Sequence, residues 1–305
     1  MLQSLTAQEQ PPEAGIAEAI VRTVAYADVF DYPLRADEVH RYLLELAAPA
    51  STIKHLLSNG YLVPQRLSRR QDYFSLPGRE SIVTTRQQRA EIAAALWPLA
   101  IYYGRLIARL PFVRMVAVTG SLAVNNADAN ADVDYLIVTA NDRVWLARAC
   151  VILVVRLARR RRQIELCPNY ILSERALTFP PTLYNAREIV QMVPLAGLET
   201  YHQLRQSNQW TTNFLPNAVG LPDNLYPILP TASPGRLLRL IESALRTPAG
   251  SALEKWEMQR KIRRFRQLTD QHTEANFTAD WCKGHFHDHS QRIMAAYRQR
   301  LNNKA

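Results

Sequence analysis

The sequence predicts an α+β protein, and two observations carry that expectation. Long strand-like apolar runs fall only in the middle of the chain, at Val113–Val118, Asp132–Thr139 and Gln163–Ser173. On both sides of them, apolar residues recur at helical spacing. The expected divisions are a disordered tail over 1–12, a small N-terminal module over 13–83, the strand-containing core over 84–175 and a C-terminal helical domain over 176–305.

A chain of 305 residues is long enough for two or three such units, each with its own core. Its 48% hydrophobic and 21% charged residues are ordinary for a soluble protein. The net charge of +10 favours polyanionic partners: nucleoside triphosphate, RNA or DNA. Charge alone does not choose among them. Cys150, Cys167 and Cys282 are odd in number and far apart, which excludes a disulfide framework and suits a reducing, cytoplasmic setting. Met1–Glu13 is polar and holds prolines, unlike a secretory signal. The apolar run Ala149–Val155 is far too short to cross a bilayer, so no membrane role is expected.

Taken in order, Ile16, Ile20, Val21, Val24 and Val29 form one apolar stripe from Glu13 onward, broken at Asp31-Tyr32-Pro33-Leu34. Ala36–Leu46 reads as a second helix. A third spans Ser51–Asn59, with Ser51 as its cap and Gly60 as its stop. Two short strand-like runs, Tyr61–Val63 and Asp72–Leu76, flank a basic tip containing Arg66, Arg69 and Arg70. Three helices and a hairpin look like a winged helix-turn-helix, with Lys54 and His55 as candidate contacts on the third helix and the arginines on the wing. Binding DNA and packing against protein are both open to such a module. Thr84–Leu110 reads as a long helix in which Pro98 marks a kink or break. Asn141–Leu157 is another helix, capped by Asn141 or Asp142, that runs into the basic stretch Arg159–Arg162. After Ser173 only helices are expected: Ala186–Val193, Gly197–Gln209, Pro234–Thr247, Leu253–Leu268 and Ser290–Leu301, with a proline-rich connection over Pro216–Pro234. Cys282, His285, His287 and His289 match no standard zinc spacing and read as a loop before the last helix.

The chemistry concentrates between Val113 and Ala140. A strand ends in the turn Thr119-Gly120-Ser121, and the next strand opens with Asp132-Val133-Asp134. Residues two apart on a strand share a face, so the two carboxylates project side by side. Such a pair is expected where a divalent cation offsets the repulsion. The Gly-Ser turn admits a phosphate close to the backbone, and Ser121 is placed to cap the short helix that follows.

This arrangement resembles the DNA polymerase beta-like nucleotidyltransferase superfamily, in particular its minimal members. The family's pattern is a strand, Gly-Ser, about ten residues, then Asp-x-Asp opening a second strand; here Leu122–Ala131 separates the two parts. The resemblance implies a small mixed-sheet nucleotidyltransferase core. It implies Mg²⁺ or Mn²⁺ on Asp132 and Asp134, and a nucleoside triphosphate, ATP being the expected one, held at Gly120 and Ser121. It also implies transfer of a nucleoside monophosphate to an acceptor with release of pyrophosphate. A third carboxylate is expected on a later strand, and Glu165 is the best-placed candidate. The acceptor is a small molecule, a protein side chain or an RNA end. The helical region that follows, starting with Tyr184, Arg187 and Glu188, would form the second wall of the cleft. The competing reading is a winged-helix DNA-binding regulator whose core only senses nucleotide.

Overall fold

The computed structural model describes residues 12–161, 164–222, 228, 236–266, 276–283 and 289–302. It combines helices with one mixed sheet, in keeping with the α+β class. All of the expected tail except Pro12, and most of the proline-rich connection, lie outside the described residues. So do the side chains of His285, His287 and His289. The chain divides into two compact units. One comprises Met1–Gln87, Trp210–Gly220 and Met294–Ala305; the other comprises Gln88–Gln209 and Leu221–Ile293.

In the first unit, α1 (Glu13–Asp28) buries Ile16, Ile20, Val21 and Val24, the expected stripe. Helix α2 (Ala36–Arg41) stops short of the predicted Leu46, and Glu45 just beyond it takes a left-handed conformation at φ 64°. Helix α3 (Ala50–Ser58) has Pro49, not Ser51, at its cap and leaves Lys54 and His55 exposed. The hairpin is also shifted from its expected place. Tyr61–Val63 forms a turn region, and the strands are β1 (Ser68–Arg70) and β2 (Tyr73–Ser75), joined through Gln71 at φ 58°. Arg69 and Arg70, expected at the tip, therefore stand in a strand. Leu34 adds a single bridge to Phe74.

Buried charges in this unit are matched. Arg86 lies 3.6 Å over the Tyr32 ring and donates to Glu38 at 2.7 Å. Asp28, almost fully buried, accepts from Arg79 and from Arg300 of the C-terminal segment at 3.0 Å each. The final helix thus contributes to the N-terminal unit.

Helix α4 (Ile82–Ala108) carries the chain from the first unit into the second, with Pro98 inside it. There follow β3 (Val113–Val118), the one-turn α5 (Gly120–Ala123), β4 (Val133–Thr139), α6 (Val144–Arg160), β5 (Leu166–Ser173), α7 (Leu183–Gln191), β6 (Val193–Ala196), α8 (Leu198–Ser207), α9 (Arg236–Leu245), α10 (Pro248–Arg266), β7 (Asn276–Phe277), β8 (Trp281–Lys283) and α11 (His289–Asn302). The sheet order is β6-β3-β4-β5-β8-β7. Strands β4 and β5 are parallel and connected through α6; all other neighbours are antiparallel.

The expectation that strands end at Ser173 is overturned by β6, β7 and β8. These strands have two to four residues, too few to show a period, and β6 contains Pro194, which is tolerated because the strand lies at the sheet's edge.

Tyr135 and Ile137 of β4 face a core shared with Trp97, Ala100 and Tyr103 of α4 and Trp145 and Val151 of α6. The Tyr135 hydroxyl donates to the Ala100 carbonyl at 2.6 Å. Helix α6 begins at Val144, three residues later than predicted, because its cap comes from elsewhere. The Glu254 carboxylate on α10 accepts from the amides of Trp145 and Leu146 at 2.8 Å each. A carboxylate at a helix N-terminus satisfies free amides and complements the dipole. Glu254→Ala is expected to destabilise the protein by about 2 kcal/mol, since it strands two buried amides. Urea unfolding followed by circular dichroism measures this, and Glu254→Gln should lose less.

Candidate metal centre

The register of β4 builds the site. Val133 is fully buried toward the core, so Asp132 and Asp134 on either side of it point to the opposite face. On the parallel neighbour β5, Cys167 is the residue paired with Asp134. Oxygen atoms of both aspartates and the Cys167 sulfur all lie within 4.8 Å of one another. Immediately after Cys167 the register slips at Pro168, which has no amide to give the ladder.

On the other side, Thr119 continues the β3 strand, and its amide donates to the Asp134 carbonyl at 2.9 Å. The Thr119 side chain therefore shares the face of Asp134. Its hydroxyl is buried and has no hydrogen-bond partner. Gly120 follows at φ +65°, and a Cβ there would stand 2.4 Å from Asp134 Oδ2. Only glycine fits, both for its backbone angle and for the closeness of the carboxylate. The amide of Asn126 closes the turn on the Ser121 carbonyl at 2.9 Å, and Arg89 of α4 reaches Asn126 Oδ1 at 3.5 Å. Ser121 is not the helix cap as expected; Thr119 occupies that position, without a capping bond from its side chain.

The electrostatics are those of uncompensated negative charge. Burial, and then the neighbouring Asp132 and Glu188, push the Asp134 carboxyl up to about 8. Burial likewise pushes Glu188 up to about 7, against the pull of the Gly120 amide and Arg187. The Cys167 thiol is pushed up by burial and by both aspartates, so without a cation it stays protonated and hydrogen-bonds to Asp134. These groups suit a divalent cation: two carboxylates, an adjacent sulfur and an orphaned hydroxyl on one face.

Of the five residues expected at the site, Asp132, Asp134 and Gly120 are brought together, and Ser121 follows Gly120 in the turn. Glu165 is not among them. It precedes β5, half-exposed, and its carboxylate is ion-paired with Arg159 at the end of α6. The third side chain beside the pair is Cys167, and the third carboxylate that Asp134 senses is Glu188. Sequence placed Glu188 at the start of a helix over 186–193. The helix instead starts at Leu183, with Thr182 as cap accepting from the Asn185 amide, so Glu188 stands well inside it. Strand alternation through Leu166 would have put Cys167 on the face of Glu165.

A separate cleft of about 720 Å³ opens at the far end of the same strands, beside Ala140 and Arg143. Among the described residues, no helix is long and apolar enough to cross a membrane. Comparison of the chain with protein-family models, with curated proteins and with solved structures finds no match.

The raised carboxyl groups set a pH dependence. Asp134 and Glu188 hold protons more tightly folded than unfolded, so their contribution to stability is complete below about pH 4. It is lost as pH rises through about 7 to 8. The metal-free protein should therefore melt at a lower temperature at pH 9 than at pH 6, and Mn²⁺ should reverse much of that loss. Asp134→Asn should flatten the dependence. Thermal unfolding at the two pH values, with and without Mn²⁺, checks both statements.

Proposed function

We propose that the chain is a divalent-metal-dependent nucleotidyltransferase, moving a nucleoside monophosphate from a nucleoside triphosphate to an acceptor with release of pyrophosphate. The observation that carries this reading is the meeting of Asp132 and Asp134 with the Gly120 turn, so close that a methyl group at Gly120 would collide with the Asp134 carboxylate. That closeness puts any phosphate bound at the turn next to the carboxylates. ATP is the expected donor, and the acceptor is a small molecule, a protein side chain or an RNA end.

In this reading Asp132 and Asp134 hold Mg²⁺ or Mn²⁺. A bound ion would supply positive charge to the triphosphate oxygens and lower the acceptor hydroxyl's pKa. The Gly120-Ser121 turn would take the β- and γ-phosphates, with the Gly120 amide already donated to Glu188. Arg89 stands one residue removed from that turn, through Asn126, and offers a cation to the same phosphates. Glu188 takes the acceptor's proton as the oxygen–phosphorus bond forms and the bond to pyrophosphate breaks. A carboxylate whose pKa is raised to about 7 suits that task near neutral pH. Glu165 is left without a catalytic part, because Arg159 already neutralises it.

The competing reading, a DNA-binding regulator built on the N-terminal module, has weaker support. Arg66 and Arg69 are ion-paired with Glu18 and Asp72, which reduces the charge they offer to phosphates.

Two experiments follow from the enzyme reading. Asp132→Asn and Asp134→Asn should each abolish metal-dependent nucleotide binding in calorimetry; unchanged affinity in both would end the proposal. Glu188→Gln should keep nucleotide binding and lower transfer by on the order of 100-fold. Glu165→Gln should leave transfer near wild type. Pyrophosphate release, measured with each labelled nucleotide and a cell extract as acceptor source, compares the three.

A further inference from the structure

We propose that Cys167 is a donor to the ion at this centre, and that its sulfur makes the centre prefer a thiophilic divalent cation such as Co²⁺, Zn²⁺ or Cd²⁺ over Mg²⁺. The inference rests on the metal centre proposed above, and it adds the identity of the ion.

Three observations carry it. The Cys167 sulfur lies within 4.8 Å of oxygen atoms on both aspartates, close enough for one ion to meet all three. Its place is fixed by the sheet, because Cys167 is the register partner of Asp134 on β5. The Thr119 hydroxyl, on the same face, is 2% exposed and has no partner, which leaves an oxygen for the ion or for a water bound to it. Both aspartates and Cys167 remain partly open to solvent, so an ion has a way in. The other two cysteines are placed differently: Cys150 sits on α6, and Cys282 is buried on β8 opposite Ile171.

Mg²⁺ demands an octahedron of oxygen atoms and keeps much of its water, so a sulfur in its shell is unfavourable. Thiolate favours zinc and softer ions. As the sulfur–metal bond forms, the thiol proton passes to solvent and no electrons are exchanged. The alternative is a thiol that only donates a hydrogen bond to Asp134. Serine would then replace it without loss.

The test uses the full chain and Co²⁺ or Cd²⁺ alone. Wild type should develop thiolate-to-metal charge-transfer absorption on titration. Cys150→Ser and Cys282→Ser should keep it, whereas Cys167→Ser, Asp132→Asn and Asp134→Asn should lose it. Cys167→Ser should weaken Co²⁺ binding by at least about tenfold while changing Mg²⁺ binding by less than about threefold. A measurement on wild type needs no variant: Cd²⁺ should protect Cys167 from alkylation, located by mass spectrometry. Metal binding without the thiolate band, a band that survives Cys167→Ser, or alkylation of Cys167 unchanged by Cd²⁺ would each overturn the proposal. A thiolate band in a protein that transfers no nucleotide would remove the enzyme reading and leave this one standing. Transfer with Mg²⁺ and no band would do the reverse.

Discussion

The register of β4 between its two neighbours is the constraint on which the site depends. One edge of the strand sets Asp134 against Thr119 and Gly120, and the other sets it beside Cys167. A slip of one residue would turn both aspartates into the core and take Tyr135 and Ile137 out of it. The core prevents this. Tyr135 is completely buried and hydrogen-bonded to α4, a position no aspartate could fill. The same packing that holds the sheet together therefore holds two like charges side by side against their repulsion.

Elsewhere, the fold neutralises its buried carboxylates with care. Glu38 has Arg86, which helps to hold its carboxyl below the usual range despite burial. Asp28 has two arginines, whereas burial still raises the Glu254 carboxyl despite its two helix amides. Among the described residues no cation pairs with Asp134, and its neighbours Asp132 and Glu188 add to the effect of burial. The contrast lies within one molecule, so it does not reflect a general shortage of arginine. A chain with net charge +10 could have placed a cation here.

The central motif was legible in the sequence because its information is local. Strand alternation places Asp132 and Asp134 together, and the tight Gly-Ser turn needs glycine. What was not legible comes from elements distant in the chain. Cys167 reaches the site only through the pairing of β5 with β4, whereas Glu188 was already expected on the cleft's second wall and α7 places it beside Asp134. Glu165 pairs with Arg159 across a turn, a partner that its apolar neighbours in the strand do not reveal. The late strands escaped notice for a related reason. Two to four residues carry no period, and their pairing with β3 and β5 is a tertiary fact. The cap of α6 was sought in Asn141 or Asp142, whereas Glu254, more than a hundred residues onward, provides it.

Under the proposed reaction, metal and nucleotide must bind with strong mutual dependence. A triphosphate is a polyanion, and the face it would approach already carries Asp132 and Asp134, with Glu188 near. Without a cation these repel it, and Arg89, held at Asn126, is at most a partial answer. A divalent ion between them would offset the charge that each set of oxygens otherwise presents to the other. Linkage then makes the effect reciprocal: whatever factor the ion adds to nucleotide affinity, the nucleotide adds to ion affinity. The ion also reverses the logic of the protons. In its absence burial keeps Asp134 and Glu188 partly protonated near neutral pH; its charge would draw the proton from Asp134 and leave the more distant Glu188 free to accept one. The same buried carboxylates that weaken the metal-free fold at high pH thus become, once neutralised, the groups that bind and react.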